Sequence, residues 1–233
     1  IGSDVGAGTL QKMKEEMPAQ FFMEGIQEQN IIGMATGLAL SGKIVYVNTL
    51  ACFITRRCYE QVYLDVGLHN ANVRLLGNGG GLVYAALGPT HIACDDIALM
   101  RNIPNMTIIA PADAEEMKRL MPQTVDYPHP MYIRFSAGND PIVSMPPLKL
   151  NKAHIYKKGK RATIFTTGIT LKLALPIQNV TVVHLPSLPA YFEEVEYVPH
   201  PFVSVEEHSV IGGLGDAIAG IGNVFKIGIP NVY

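Results

Sequence analysis

QNIIGMATGLALSGKIVYVNTL, residues 29–50, sets two kinds of pattern end to end. Residues 29–42 are apolar and small, the composition of a helix buried on most sides, and Gly42 is placed to end it. Residues 43–50 are β-branched and apolar, as in a strand covered on both faces. A buried helix running into a buried strand is the repeating unit of a parallel α/β sheet. Outward from this stretch the unit recurs. Helices are predicted over 9–17, 56–70, 92–102 and 113–121, and strands over 21–23, 73–77, 106–110 and 131–135. Residues 136–150, SAGNDPIVSMPPLKL, are rich in turn formers and prolines and read as a linker. The alternation then resumes with strands at 162–168, 180–185, 202–208 and 224–229 and a helix near 213–220. The expected fold class is α/β: two doubly wound, mainly parallel sheets, in domains 1–137 and 151–233 joined by 138–150.

Composition narrows the class. The chain of 233 residues is 48% hydrophobic and only 16% charged, so a large buried core or interface is expected. A net charge of −2 suggests no surface for nucleic acid or anionic membrane. No uncharged run approaches the ~18 residues of a membrane span. No leader pattern opens the sequence, and Cys52, Cys58 and Cys94 read as buried thiols of a reducing compartment, so the expected location is the cytoplasm.

Several residues carry chemistry. Glu28 heads the apolar helix, where a buried carboxylate is costly unless paired or protonated. Taken alone it is a first-turn acid favoured by the helix dipole. Phe53, just past a buried strand, is by itself core. His91 lies in GPTH, residues 88–91, where Pro89 stiffens a turn and Thr90 is placed to cap a helix from Ile92. Arg134 ends a strand on the face of Tyr132; alone it is a surface ion pair, but strand ends are where ligands bind in such sheets. The loop GNGGG, 77–81, has neither the lysine and hydroxyl of a P-loop nor the third glycine of a dinucleotide motif. It reads as a tight turn that something approaches closely.

The set has an order: Glu-Gln before an apolar helix, Phe after the next strand, GPTH after a glycine loop, RNIPNMTIIAPAD at 101–113, then YIR at 132–134. This order resembles the pyrimidine-binding half of the transketolase family of thiamine diphosphate enzymes. VSVEEHSVIGGLGDAIA, 203–219, resembles the family's C-terminal domain, so the likeness spans essentially the whole chain. It implies that Glu28 hydrogen-bonds N1′ of the aminopyrimidine. The carboxyl must carry a proton to donate that bond, and apolar burial pushes in that direction. It implies Phe53 as the ring stacked on the pyrimidine and His91 as a group reaching substrate oxygens. Arg134 matches an arginine that takes an anionic substrate tail. Asp4, in GSD, falls near a family aspartate beside the thiazolium. In FITRRCYEQ, 53–61, either Arg56 or Arg57 can take the position of a substrate-contacting arginine; Arg57 is carried as the candidate.

The departures matter too. Leu87 replaces the family's acidic residue before GPTH, and Gly79 and Gly80 stand where basic residues are common. The substrate pocket should be less polar than an ordinary transketolase's, and a modified sugar fits it as well as a pentose phosphate. No GDG motif, which holds diphosphate and Mg²⁺ in the family, occurs anywhere; the nearest string is GLGD, 213–216. The resemblance therefore implies the C-terminal subunit of a split enzyme, with diphosphate and Mg²⁺ held by an N-terminal partner chain, assembling as a heterotetramer. The expected reaction moves a two-carbon ketol unit from a ketose to an aldehyde. The alternatives are a 1-deoxy-D-xylulose-5-phosphate synthase-like ligase, a 2-oxoacid dehydrogenase β-type subunit, and a non-catalytic assembly subunit.

Overall fold

The structure, a computed structural model, describes residues 1–3, 10–136, 138–146, 148–191 and 198–230. Helix α1 (Gln11–Glu16) lies exposed ahead of the first sheet. At Gly25 the chain turns with φ +76°, a conformation other residues adopt at a cost, and this turn delivers Glu28 to the first position of α2 (Glu28–Leu40). Strand β1 (Val45–Leu50) follows directly. A helical stretch comes next: wide π-type turns over Phe53–Arg57, α3 (Tyr59–Gln61), and π-type turns again over Val62–Leu68. Then come β2 (Val73–Asn78), α4 (Asp96–Arg101), β3 (Thr107–Ile109), α5 (Ala114–Leu120) and β4 (Met131–Phe135). The second part runs β5 (His154–Lys157), β6 (Thr163–Thr166), α6 (Leu171–Ala174), β7 (Thr181–His184), β8 (Ser187–Leu188), β9 (Phe202–Ser209), α7 (Leu214–Ala217) and β10 (Val224–Ile229).

Two five-stranded sheets result, in the orders β1-β2-β4-β3-β8 and β10-β9-β6-β7-β5. Each is parallel apart from one antiparallel edge strand, β8 on β3 and β5 on β7. Strand β8 is contributed to the first sheet by the second half of the chain, so the halves are sewn together by backbone hydrogen bonds. A shared core of Ile31, Ile32, Val47, Val73, Leu75 and Ile108 reaches across to Phe165 and Val183. The connection between β6 and β7 is no more than a 3₁₀ turn and the single helical turn of α6.

Some expectations are corrected. Residues 21–23 form no strand; only Met23 makes an isolated bridge, to Gly2. The helix expected at 56–70 is broken by wide turns, and the one expected from Ile92 starts at Asp96. Thr90 therefore caps no helix; its hydroxyl bonds the His91 Nδ1 at 2.9 Å. The three cysteines are buried free thiols, as expected, with Cys58 and Cys94 pushed up to about 12 by burial.

The seam between the halves is polar as well as apolar. Arg134 Nη2 donates to the Glu207 carbonyl at 2.7 Å, and Ser209 N to the Cys94 carbonyl at 2.7 Å. His184 Nε2 lies 3.0 Å from Glu116 Oε2, both fully buried. His208 Nε2 accepts from Ala98 N at 3.3 Å. Burial pushes His208 below its ordinary value of 6.5, against the pull of Asp96. A lowered imidazole contributes stability that is present above 6.5 and is lost as the pH falls through the folded value. Glu206 and Glu207, raised by burial, act in the opposite sense. The expected result is that the melting temperature of His208→Gln falls less than that of the native chain between pH 7.5 and 5.5, measured by thermal melts.

Candidate active site

The carboxyl ends of β1, β2 and β4 lie side by side, with Thr49 opposite Gly77 and Gly77 opposite Arg134. Ligands bind outside this edge in parallel sheets. Glu28 stands here because α2 packs its Ile31, Ile32 and Ala35 into the core and so presses its first turn against β1. Its side chain is only 2% exposed. Oε1 lies 3.5 Å from the Thr49 hydroxyl, a long contact, and that hydroxyl lies 2.9 Å from the Ser3 hydroxyl. Oε2 accepts from Arg57 Nη1 at 2.8 Å. The same guanidinium lies over the Phe53 ring, its central carbon 4.0 Å from the centroid. The His91 ring meets Phe53 edge-on, centroids 5.4 Å apart. An open depression of ≈ 550 Å³ lies here, lined by Cys52, Phe53, Arg56, Arg57, Pro89 and Thr90.

The structure thus brings four of the candidates, Glu28, Phe53, Arg57 and His91, into one cluster. Consecutive residues on a helical turn face different ways, and the arginine pair divides accordingly. Arg57 turns to Glu28. Arg56 turns to the GPTH turn, donating to the Pro89 and Thr90 carbonyls at 3.3 and 3.4 Å and to Asp95 at 3.2 Å. The wide turns begin at Phe53 itself, and such turns are frequent at functional sites. Cys58 Sγ contacts the Ile54 and Phe53 carbonyls at 3.1 and 3.4 Å at the end of this segment. The bracing role of Arg56 is one the residue pattern did not announce; its only signal was the doubled arginine. Arg56→Ala is expected to free the GPTH turn and lower turnover roughly tenfold through His91, leaving stability within about 1 kcal/mol of native. Steady-state kinetics set beside a thermal melt check both halves of that statement.

Arg134 is a different case. It was expected to face an anionic substrate, yet its guanidinium is 6% exposed and is spent on Asp96, at 2.7 Å from Nε, and on the Glu207 carbonyl. Tyr132, on the same face as expected, donates to the same Asp96 oxygen at 2.8 Å. Burial, the largest single influence, pulls the arginine down, but Asp96, Tyr132 and Glu207 together outweigh it and hold the guanidinium above its ordinary value. This burial has a physical cause: the glycine loop covers the strand end. A Cβ on Gly80 would come within 2.5 Å of the Arg134 Cγ, and one on Gly77 equally close to Tyr132. The close approach predicted for GNGGG is therefore made by the protein's own side chains. Asp4 lies outside the described residues. Among the described residues no cluster of three or more His, Cys, Asp or Glu could hold a metal ion, and no helix is long and apolar enough to cross a membrane.

The residues present fit a thiamine pyrimidine. A deeply buried carboxylate and an aromatic face already share one planar nitrogen group between them, that of Arg57. Comparisons with known proteins agree. Residues 1–141 match the transketolase pyrimidine-binding domain. Over 229 residues the chain is 36% identical to an apulose-4-phosphate transketolase subunit of Phocaeicola vulgatus, covering 90% of this chain and 72% of that one. It is 31% identical over 235 residues to the 6-deoxy-6-sulfo-D-fructose transketolase subunit SqwH of Clostridium sp. (strain MSTE9), covering 92% and 71%. Among solved structures it superposes on a split-gene transketolase, described as an inactive β4 tetramer, with a TM-score of 0.88 and 30% identity over 100% of this chain and 83% of that one. The buried glutamate, the aromatic face and these likenesses lead to one statement: the chain belongs to the transketolase family, and its first part is that family's pyrimidine-binding domain.

Proposed function

We propose that this chain is the pyrimidine-binding subunit of a thiamine diphosphate-dependent transketolase that moves a two-carbon ketol unit from a ketose to an aldehyde. The observation that carries the reading is Glu28: a carboxyl 2% exposed, at a sheet's carboxyl edge, beside the Phe53 ring. Bound there, thiamine diphosphate supplies the nucleophilic carbon and electron sink that ketol transfer needs. Glu28 would hold the proton at ring nitrogen N1′, with Thr49 and Ser3 behind it fixing the carboxyl. Phe53 would give the ring its flat apolar face. His91, half-buried next to Phe53, would reach substrate oxygens, and its Nδ1 contact with Thr90 orients the imidazole.

The likeness to transketolase subunits and to a split-gene transketolase supports a partner chain that would hold diphosphate and Mg²⁺, in a heterotetramer of the two; no GDG motif lies within the 233 residues of this chain. Its tie to a structure described as an inactive β4 tetramer supports that dependence. The division into 1–137, the linker 138–150 and 151–233 belongs to the same proposal, as does a cytoplasmic location. With Leu87 exposed before GPTH and Gly79 and Gly80 folded under Tyr84 and Arg134, the sugar side of the cleft has few fixed charges. That favours a deoxy- or branched sugar as substrate. A donor and acceptor screen on the chain reconstituted with a GDG-bearing partner tests the proposal. Two-carbon transfer from a ketose is expected; pyruvate decarboxylation without ketol transfer would contradict it.

A further inference from the structure

We infer that Arg57 stands in for the aminopyrimidine: its guanidinium fills the place between Glu28 and Phe53 and has to leave before the cofactor ring can enter. The inference rests on the reading of Glu28 and Phe53 as pyrimidine contacts. An aminopyrimidine in this site needs a hydrogen bond to the buried carboxyl and a flat stack on the aromatic ring. Arg57 makes both at once, with Nη1 2.8 Å from Glu28 Oε2 and its central carbon 4.0 Å from the Phe53 centroid. A guanidinium is planar and delocalised and stacks on aromatic faces, so it satisfies the two demands of a heteroaromatic amine.

The way Arg57 is held separates it from the structural arginines. Arg74 is fully buried and donates to three carbonyls, those of Thr124, His129 and Tyr127. Arg134 is buried against Asp96 and the Glu207 carbonyl. Among the described residues Arg57 has one hydrogen-bond partner, Glu28, and its side chain is 42% exposed. It can swing into the adjoining depression of ≈ 550 Å³ without opening a void in the core. Glu28 has no such freedom, being 2% exposed. A buried carboxylate needs a partner when the ring is absent, and a tethered, half-exposed cation provides one that can be withdrawn. A substrate contact by the same arginine, once displaced, is compatible with this.

The test uses the full chain and 4-amino-5-hydroxymethyl-2-methylpyrimidine, which carries the ring without the diphosphate and so needs no partner chain. Dissociation constants come from ligand-observed NMR titrations. Arg57→Gln is expected to bind this probe roughly tenfold more tightly than the native chain, because the competing cation is gone. Arg57→Lys keeps the charge but loses the flat stack; it is expected to tighten binding by less, and it serves if the glutamine variant fails to fold. Phe53→Ala is expected to lose binding. If both Arg57 variants bind no tighter than the native chain while Phe53→Ala still loses binding, the stand-in role is overturned and the pyrimidine site survives. If Phe53→Ala and Glu28→Ala bind like the native chain, the pyrimidine site falls and the stand-in role with it.

Discussion

Glu28→Ala is expected to lower turnover of the reconstituted enzyme by roughly 10³-fold, the scale of a lost general acid–base group. The fold should persist. The substitution strands no buried charge, because Arg57 is 42% exposed and returns to water. It leaves a small gap at the first turn of α2 and removes one charge-assisted hydrogen bond, a loss of about 1–3 kcal/mol. Activity and stability therefore separate: a large fall in kcat beside a modest fall in melting temperature. Near-native turnover would remove Glu28 from the chemistry. A comparable loss of both quantities would make it a structural acid.

Asp96→Ala should show the reverse pattern. Asp96 is fully buried and one of its oxygens receives both Tyr132 and Arg134. Removing it leaves a buried guanidinium without its counter-charge at the seam between the two halves. Breaking a buried pair in this way costs about 3–5 kcal/mol. Urea denaturation is expected to show that loss, with the transition broadened as the second sheet loosens from the first. Asp96→Asn, which keeps an acceptor for Arg134 and Tyr132, should recover part of it. A loss under about 1 kcal/mol for the alanine variant would mean that Arg134 finds another partner.

These contrasting roles mark where the sequence was legible. The apolar strands were, because runs such as 131–135 and 224–229 admit one reading; both match the observed spans, although only the first is buried and β10 leaves Phe225 and Ile227 exposed. Strand β8 was not: two residues between Pro186 and Pro189 carry no period. Strand β5, half-buried throughout, gave no run of apolar residues. The segment after Phe53 has helical composition, but nothing in composition reports a change from α to π-type turns. The choice between Arg56 and Arg57 hung on that backbone, since neighbouring helical residues face different ways. Glu28 and Phe53 could be picked out because their order along the chain matched a known family. Arg134 shows the limit of that route. It stands at a strand end as expected, but nothing in the sequence showed the glycine loop folded over it or its bond to the Glu207 carbonyl.

Half of a cofactor site on this chain, completed by a partner, is tested most directly by one titration. Thiamine diphosphate with Mg²⁺ is titrated calorimetrically into this chain, into a GDG-bearing partner chain, and into an equimolar mixture of the two. Tight binding is predicted in the mixture alone, and Phe53→Ala in this chain should weaken it there. Equally tight binding by this chain without a partner, or binding by the mixture that ignores Phe53→Ala, would contradict it.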